Sequence, residues 1–336
     1  MKSERQFKRL PKIVFHFVIV WRKNFLREIT IQLTERCNLA CKYCFAGNKS
    51  GAEISADNLN FFIDFCKKNA VESVHVTGGE PTLYRNFSNC IEELAKNFYL
   101  VIYSNFTVQD TIKNLNLRDS DLIFLVNINP RENYTTQQWD NLIGNIETAK
   151  TKNIRLAFGH TFHRSSIEED FKYIVSMNQK YGVKLLRLSQ AISNSNTNTN
   201  ALNINQVRKL YSLVAAKYES LKEVGIKCYF DCPLPACWIG EKVYDKLREG
   251  FVISTNCAPK IFVTYDLKAH QCYIEPKNLL TRSLREFTNY DAVKNYLAEM
   301  ITPIVKEKSL KCKNCPHSKF LFGCGCPIEN SYKVEE

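Results

Sequence analysis

The sequence has no apolar run long enough to cross a bilayer: the longest near its start goes only from Ile13 to Trp21 and contains His16. No small-residue cleavage site follows that run, so a secretory signal is not indicated and a cytoplasmic protein, with no membrane partner, is the expectation. A block of Arg and Lys interleaved with aromatics is also missing, which leaves nucleic acid without a specific claim on the net charge of +12. That charge would draw an acidic peptide or a phosphorylated small molecule equally well. The basic opening stretch, Lys2, Arg5, Lys8, Arg9 and Lys12, reads as a solvated tail. There is no internal repeat. Composition is otherwise ordinary, with 45% hydrophobic and 24% charged residues over 336 positions, enough for one large domain and a smaller one.

What the chain has in excess is cysteine, 14 in all. Apart from Cys66 and Cys90, which sit in helix-like segments and read as small core residues, they fall into three groups. These are Cys37, Cys41 and Cys44; Cys228, Cys232 and Cys237; and Cys257, Cys272, Cys312, Cys315, Cys324 and Cys326. Without an export signal, such close spacing points to metal binding before disulfides.

From residue 28 to about 230, short apolar strands alternate with amphipathic helices. Strands are expected at Glu28–Leu33, Ser73–Thr77, Leu100–Tyr103, Leu122–Ile128, Arg155–Gly159 and Lys184–Leu188. Helices are expected at Ala56–Asn69, Asn86–Asn97, Thr136–Lys152, Ile167–Tyr181 and Gln206–Gly225. Such alternation predicts an α/β fold on a parallel sheet, open or curled into a partial barrel, with chemistry at the carboxyl ends of the strands. Ser193–Asn205, rich in Asn, Ser and Thr, leaves that edge as a surface loop or a lid. After residue 230 the alternation gives way to Pro, Cys and short elements, so the chain divides into an N-terminal extension (1–27), a core (28–230) and a cysteine-rich part (231–336).

The C-x3-C-x2-C spacing of Cys37, Cys41 and Cys44 follows the first expected strand and is itself followed by Phe45. Three thiolates from one loop can hold three irons of a cubane and leave the fourth without a protein ligand. Structural zinc needs four closed ligands, and this loop offers no fourth. The loop, with its following aromatic, resembles the signature of the radical S-adenosylmethionine (radical SAM) superfamily. Thr77-Gly78-Gly79-Glu80-Pro81 after the second strand resembles that family's GGEP motif, whose backbone binds the amino group of the methionine moiety. Glycines allow close backbone approach, and a carboxylate can accept hydrogen bonds from an ammonium. Tyr103-Ser104-Asn105 is similar to the family's "TNG"-like stretch, and Asn127 stands where many members place a ribose-binding serine. Arg187 or Ser189, ending the sixth strand, would meet the nucleoside or its carboxylate, or be plain surface polar residues.

The resemblance implies a partial (β/α)6 barrel of the radical SAM type, a [4Fe–4S] cluster and S-adenosylmethionine. It implies reductive cleavage of that sulfonium to a 5'-deoxyadenosyl radical that abstracts hydrogen from an unreactive carbon, driven by an external one-electron donor such as flavodoxin or ferredoxin. The later cysteines look like the auxiliary-cluster extension called SPASM, or its shorter relative called twitch, with one or two further clusters. The pattern departs from it: the family's glycine before the second of these cysteines is Leu267, and Cys312, Cys315, Cys324 and Cys326 are spaced C-x2-C-x8-C-x-C. A structural zinc site on those four is the competing reading. Cys228, Cys232 and Cys237 are candidate hydrogen donors to a substrate radical, as in radical SAM peptide epimerases, or auxiliary ligands. His160 and His163, after the fifth strand, could orient substrate or move protons.

Enzymes with such extensions mostly modify peptides, so the expected function is maturation of a ribosomally synthesised peptide by epimerisation or crosslinking. The expected partner is a precursor peptide with an acidic leader that suits the basic surface. Alternatives are dehydrogenation or rearrangement of a small metabolite, modification of RNA, and a metal-stabilised nucleic-acid-binding module without turnover.

Overall fold

The computed structural model describes residues 27–44, 50–116, 122–163, 166–191, 200–232, 239–250, 261–272 and 281–311. Phe45, Cys237, Cys257, Cys312, Cys315, Cys324 and Cys326 lie outside the described residues, as do 1–26 and most of the Asn/Ser/Thr-rich loop.

Short apolar runs, such as Leu122–Val126 in β4, build the strands, and a parallel sheet follows from the helices between them. The strands are β1 (Glu28–Gln32), β2 (Ser73–Thr77), β3 (Tyr99–Ser104), β4 (Leu122–Asn127), β5 (Arg155–Phe162), β6 (Leu185–Gln190) and β7 (Lys227–Phe230). They are joined in sequence order by parallel pairing throughout. The connecting helices are α1 (Ala56–Lys68), α2 (Phe87–Ala95), α3 (Thr136–Thr151), α4 (Ile167–Tyr181), α5 (Ile204–Ala216) and α6 (Tyr218–Glu223). Local chemistry fixes their starts. The Ser55 side chain accepts from Asn58 N at the head of α1, and reciprocal capping boxes, Thr135 with Gln138 and Asn203 with Gln206, open α3 and α5. The long helix expected over Gln206–Gly225 is two, because Lys217 leaves helical geometry at ψ 3°.

One face of the sheet packs against the helices. Ile29, Ile31, Val74, Val76, Leu100, Ile102, Phe124, Val126, Phe158, Leu186, Leu188 and Cys228 lie in one buried cluster with Leu59, Phe62, Ile91, Leu142, Ile174 and Leu210 from the helices. The alternate strand residues form a separate cluster of Val101, Ile123, Leu125 and Ala157, flanked by Tyr99, Tyr103, Leu185 and Tyr229. This second cluster reveals curvature. Two strands separate β3 from β6, a spacing of about 14 Å in a flat sheet. Yet the Arg187 guanidinium sits 5.8 Å from the Tyr103 ring centre, so the sheet curls and this face is the concave one. The fold is an unclosed α/β barrel, consistent with the expected partial (β/α)6 architecture and one strand, β7, longer than the sequence indicated.

The chain beyond 230 adds to the same sheet. After helix α7 (Glu241–Gly250), strand β8 (Ile261–Val263) pairs parallel to β1, β9 (Lys268–His270) pairs antiparallel to β8, and β10 (Arg282–Ser283) to β9. Helix α8 (Tyr290–Lys311) follows. The resulting order is β10-β9-β8-β1-β2-β3-β4-β5-β6-β7, ten strands in one sheet. In the β8–β9 turn, Leu267 takes a left-handed conformation (φ 65°) that normally favours glycine. Its side chain is 1% exposed, so burial of the isobutyl group offsets the backbone strain at the position where the resembled family carries glycine.

Candidate active site

The cysteine loop leaves the carboxyl end of β1 and is held on three sides. Thr34, fully buried, forms a bridge with Glu53, and its hydroxyl donates to Ala52 O (3.0 Å) and accepts from Arg36 N (3.1 Å). From β2, Gly79 N donates to Thr34 O and Glu80 N to Arg36 O, each at 2.7 Å. From β3, Asn105 Nδ2 donates to Asn38 Oδ1 (2.9 Å), and Asn38 Nδ2 donates to Thr107 Oγ1 (2.8 Å). Gln138 of α3 adds a bond to Asn38 O (3.1 Å). Within the loop, Cys44 N donates to Cys41 O, tightening the turn between the last two cysteines.

The two glycines earn their place by contact. A Cβ on Gly78 would meet Thr34 O at 2.8 Å, and one on Gly79 would meet Arg36 O at 2.3 Å and Glu35 O at 2.5 Å. Only bare backbone lets the β2 terminus lie against the cysteine loop. Pro81 then opens a single 3₁₀ turn, Pro81–Leu83, capped by the Glu80 side chain.

Glu80 has a different part from the ammonium acceptor that its type allowed. Its carboxylate is 1% exposed. Oε1 accepts from Thr82 N (3.2 Å), Thr82 Oγ1 (2.6 Å) and Ser104 Oγ (2.8 Å), and Oε2 from Asn105 N (2.7 Å). With its acceptor positions so engaged, the side chain ties the β2 end to the β3 end rather than reaching a ligand. Burial pushes its carboxyl above the usual value, against the lowering effect of those donors. Ser104 and Asn105 are partners of Glu80 and Asn38 respectively, so both act on the loop's geometry.

Asn127 ends β4, and its Nδ2 donates to Tyr43 OH at 2.6 Å. Tyr43 OH in turn donates to Asn129 Oδ1 (2.7 Å), while Asn129 Nδ2 lies 3.9 Å from Cys41 Sγ. Tyr134 OH accepts from Asn129 N (2.8 Å). Burial, followed by the neighbouring Cys41, raises the Tyr43 phenol well above its ordinary value. The His163 ring lies 5.6 Å from the Tyr43 ring, and Asn200, at the end of the polar loop, donates to Lys42 O (2.9 Å). Asn129 and Asn38 are the residues that sequence reasoning passed over. The only signal for Asn38 was its place between two spaced cysteines.

Other expected residues fall elsewhere. Arg187 and Ser189 both turn on the concave face to Asp231, at 2.6 Å and 3.4 Å, and Arg187 also covers Tyr103. Burial alone would lower the Arg187 guanidinium, but Asp231 outweighs it and the net direction is up. Tyr103 OH is 3.0 Å from His75 Nδ1, so a polar chain crosses the concave face from β2 to the end of β7. His160 is inside β5, 1% exposed, on the helix-packed side, with Nδ1 2.8 Å from Ile128 O and Nε2 3.7 Å from Asp170 of α4. It does not open on the concave face, and its role is structural. Cys228 is likewise a correction: it points into the helix-packed core, 3% exposed, a poor position for donating hydrogen to a substrate on the concave face. Cys232, next to Asp231, and Cys272, after β9, are partly exposed.

Cys37, Cys41 and Cys44 are partly exposed. Among the described residues no group of three or more His, Cys, Asp or Glu is drawn together as a single-ion site. Three thiols on one loop, with glycine backbone pressed against it, fit a cluster with one iron left open.

A curled parallel α/β barrel carries a three-thiol loop at the carboxyl edge of its first strand. Residues 31–175 match the Radical SAM superfamily model. Members of that superfamily are enzymes, and the family implies a [4Fe–4S] cluster and S-adenosylmethionine. The chain is 31% identical over 80 residues to an S-adenosylmethionine-dependent nucleotide dehydratase of Selenomonas ruminantium, covering 23% of this chain and 29% of that protein. It is 22% identical over 212 residues to a GTP 3',8-cyclase of Campylobacter fetus, covering 58% of this chain and 64% of the relative. These matches span less than two thirds of the relatives' lengths. Among solved structures, Streptococcus suis SuiB bound to S-adenosylmethionine superposes with a TM-score of 0.66 at 15% identity, covering 87% of this chain and 71% of SuiB. The enzyme anSMEcpe with bound AdoMet gives 0.64 at 14% identity, covering 81% and 82%. At such identities the likeness is one of fold. No described helix is long and apolar enough to cross a membrane.

Proposed function

We propose that the chain is a radical SAM enzyme that holds a [4Fe–4S] cluster on Cys37, Cys41 and Cys44 and matures a ribosomally synthesised peptide. The observation that carries the first half is the cysteine loop pinned to the Gly78–Gly79 backbone, with Glu80 bracing the β3 end beneath it. When bound, the reduced cluster would supply the one electron that breaks a carbon–sulfur bond of S-adenosylmethionine. The chain's own residues keep the thiols in register, present the β2 backbone at the loop and close the concave face with Tyr103, Arg187 and Tyr229. The donor set fits because a fourth protein thiol is not offered by the loop.

The peptide half is supported by fold neighbours with peptides: SuiB is known with precursor peptide SuiA, and anSMEcpe with a bound peptide. The net charge of +12 suits an acidic leader. Cys232 and Cys237 remain the thiols proposed as hydrogen donors. Cys257, Cys272, Cys312, Cys315, Cys324 and Cys326 are proposed auxiliary-cluster ligands, and about eight irons per chain rather than about four would support that assignment. An external one-electron donor such as flavodoxin or ferredoxin completes the scheme.

Anaerobic protein with dithionite and S-adenosylmethionine is expected to release 5'-deoxyadenosine. Co-expression with a precursor peptide encoded nearby is expected to change that peptide's mass or stereochemistry. No 5'-deoxyadenosine from iron-loaded protein would sink the first half; an unaltered peptide with continuing turnover would sink the second. A nucleotide or other small metabolite is the second reading, favoured by the names of the curated relatives, a nucleotide dehydratase and GTP 3',8-cyclases. Saturable turnover of a nucleoside triphosphate would select it.

A further inference from the structure

We infer that Asn129 is a positioning residue that donates an amide hydrogen to the Cys41 sulfur and thereby eases reduction of a cluster held on the cysteine loop. The inference rests on the proposed ligand role of Cys37, Cys41 and Cys44, and deepens it. Its basis is a hydrogen-bond chain that runs from the β4 terminus to the cysteine loop. Asn127 Nδ2 can only donate, and it does so to Tyr43 OH at 2.6 Å. Tyr43 OH donates to the next group, the Asn129 carboxamide, at 2.7 Å, and is also in hydrogen-bond contact with Cys41. Only the carboxamide oxygen can accept that proton, so Oδ1 faces Tyr43 and the NH2 group is left facing Cys41 Sγ, 3.9 Å away.

The rest of Asn129 is held independently. Its backbone N–H is capped by Tyr134 OH at 2.8 Å, and the residue is 4% exposed. A carboxamide that could flip would offer the sulfur either a donor or an acceptor; here the Tyr43 hydroxyl selects the donor. Hydrogen bonds to cluster sulfurs are among the factors that set reduction potential, because they stabilise the extra negative charge of the reduced state. Links in such chains also polarise one another in a low-dielectric surround. The two asparagines at the β4 terminus thus gain a shared purpose: Asn127 orients Tyr43, Tyr43 orients Asn129, and Asn129 reaches the sulfur.

The test is the midpoint potential of the reconstituted cluster, read by electron paramagnetic resonance during anaerobic redox titration, with iron content measured on the same samples. Asn129→Leu removes the donor without adding charge, and is expected to shift the reduction equilibrium about tenfold against the reduced form, ~59 mV for one electron. Asn129→Asp keeps the acceptor for Tyr43 and puts oxygen towards the sulfur, so its shift should have the same sign and be at least as large. Tyr43→Phe leaves Asn129 in place but unlocks its orientation and removes the phenol's own contact with Cys41, and a shift of the same sign is expected. Should Asn129→Leu load less iron than the wild type, Tyr43→Phe carries the decision. Full iron content with a wild-type midpoint in these variants overturns the inference alone. A wild type that takes up no iron overturns the proposed function, and this inference with it.

Discussion

Replacing Gly79 by alanine tests whether the contact between the β2 terminus and the cysteine loop is what shapes the site. The added Cβ would stand 2.3 Å from Arg36 O, 2.5 Å from Glu35 O and 2.7 Å from Arg36 C. These are backbone atoms in a loop fastened to Ala52, Gly79 and Glu80, so no flexible side chain can swing away. To reach ordinary contact the two segments must part by about 1 Å, which lengthens both Gly79 N–Thr34 O and Glu80 N–Arg36 O from their 2.7 Å. Two backbone hydrogen bonds contribute about 1 kcal/mol each, and forcing backbone apart in a packed region costs roughly 1–3 kcal/mol more. The expected loss is therefore about 3–5 kcal/mol, measured by urea unfolding of metal-free protein. Iron uptake on reconstitution should fall as well, because the same displacement moves Cys37, which adjoins Arg36. A Gly79→Ala protein within about 0.5 kcal/mol of wild type, with full iron uptake, would show that the close approach is not needed.

Glu80→Gln should lose about 1–3 kcal/mol, because an amide in place of Oε2 leaves the buried Asn105 N–H without an acceptor. The sign of its pH dependence follows from the raised carboxyl. Stability from Glu80 is complete below the ordinary 4.5 and is lost as pH rises through the raised value, so the gap between wild type and Glu80→Gln should narrow from acid towards neutral pH in parallel urea titrations. A gap that widens with pH would contradict the assigned direction. Native-state alkylation at pH 8 should modify Cys37, Cys41 and Cys44 and spare Cys66, Cys90 and Cys228. Thiols held at about 12, as Cys90 and Cys228 are, expose only about one thiolate in 10⁴ at that pH, and peptide mass mapping reads the pattern. Leu267→Gly should relieve roughly 1–2 kcal/mol of left-handed strain yet lose about 2–5 kcal/mol of buried side chain, for a net destabilisation in thermal unfolding. A stabilised Leu267→Gly protein would mean that strain, not burial, dominates this turn.

The sequence pattern was enough for the core because the strands are short apolar runs and the helices between them are amphipathic. Ser73–Thr77 and Ile167–Tyr181 are found with their expected bounds. The β5 end was misjudged for a physical reason. Gly159-His160-Thr161 reads as polar and turn-like, but pairing with β6 continues from Gly159–Arg187 to Phe162–Gln190, and this draws His160 into the helix-packed layer. The motif glycines were legible because their purpose, close approach, is carried by one residue type. Glu80 was legible as a motif member but not in its role. A carboxylate's availability depends on which donors surround it, and Ser104 and Asn105 arrive from another strand. Asn129 was illegible for the same reason: its partners Tyr43 and Cys41 are 86 and 88 positions away in sequence.

The strands after residue 230 bear on the site more directly than their place in the chain implies. Taken alone, the parallel run β1 to β7 would leave β1 at an edge, with one row of backbone N–H and C=O groups unpaired. Edge strands twist and fray more readily than flanked ones, and this strand launches the cysteine loop. Strand β8 removes that weakness by pairing Ile29, Thr30 and Ile31 with Ile261, Phe262 and Val263, while β2 pairs the other side from Glu28 to Gln32. Arg285, following β10, adds a contact to Asp57 at the start of α1, and Tyr290 OH donates to Glu28 O (2.9 Å). The loop that presents Cys37, Cys41 and Cys44 thus springs from an interior strand locked on both sides. Thiol geometry would therefore loosen if β8 were lost, even though that strand contains no cysteine.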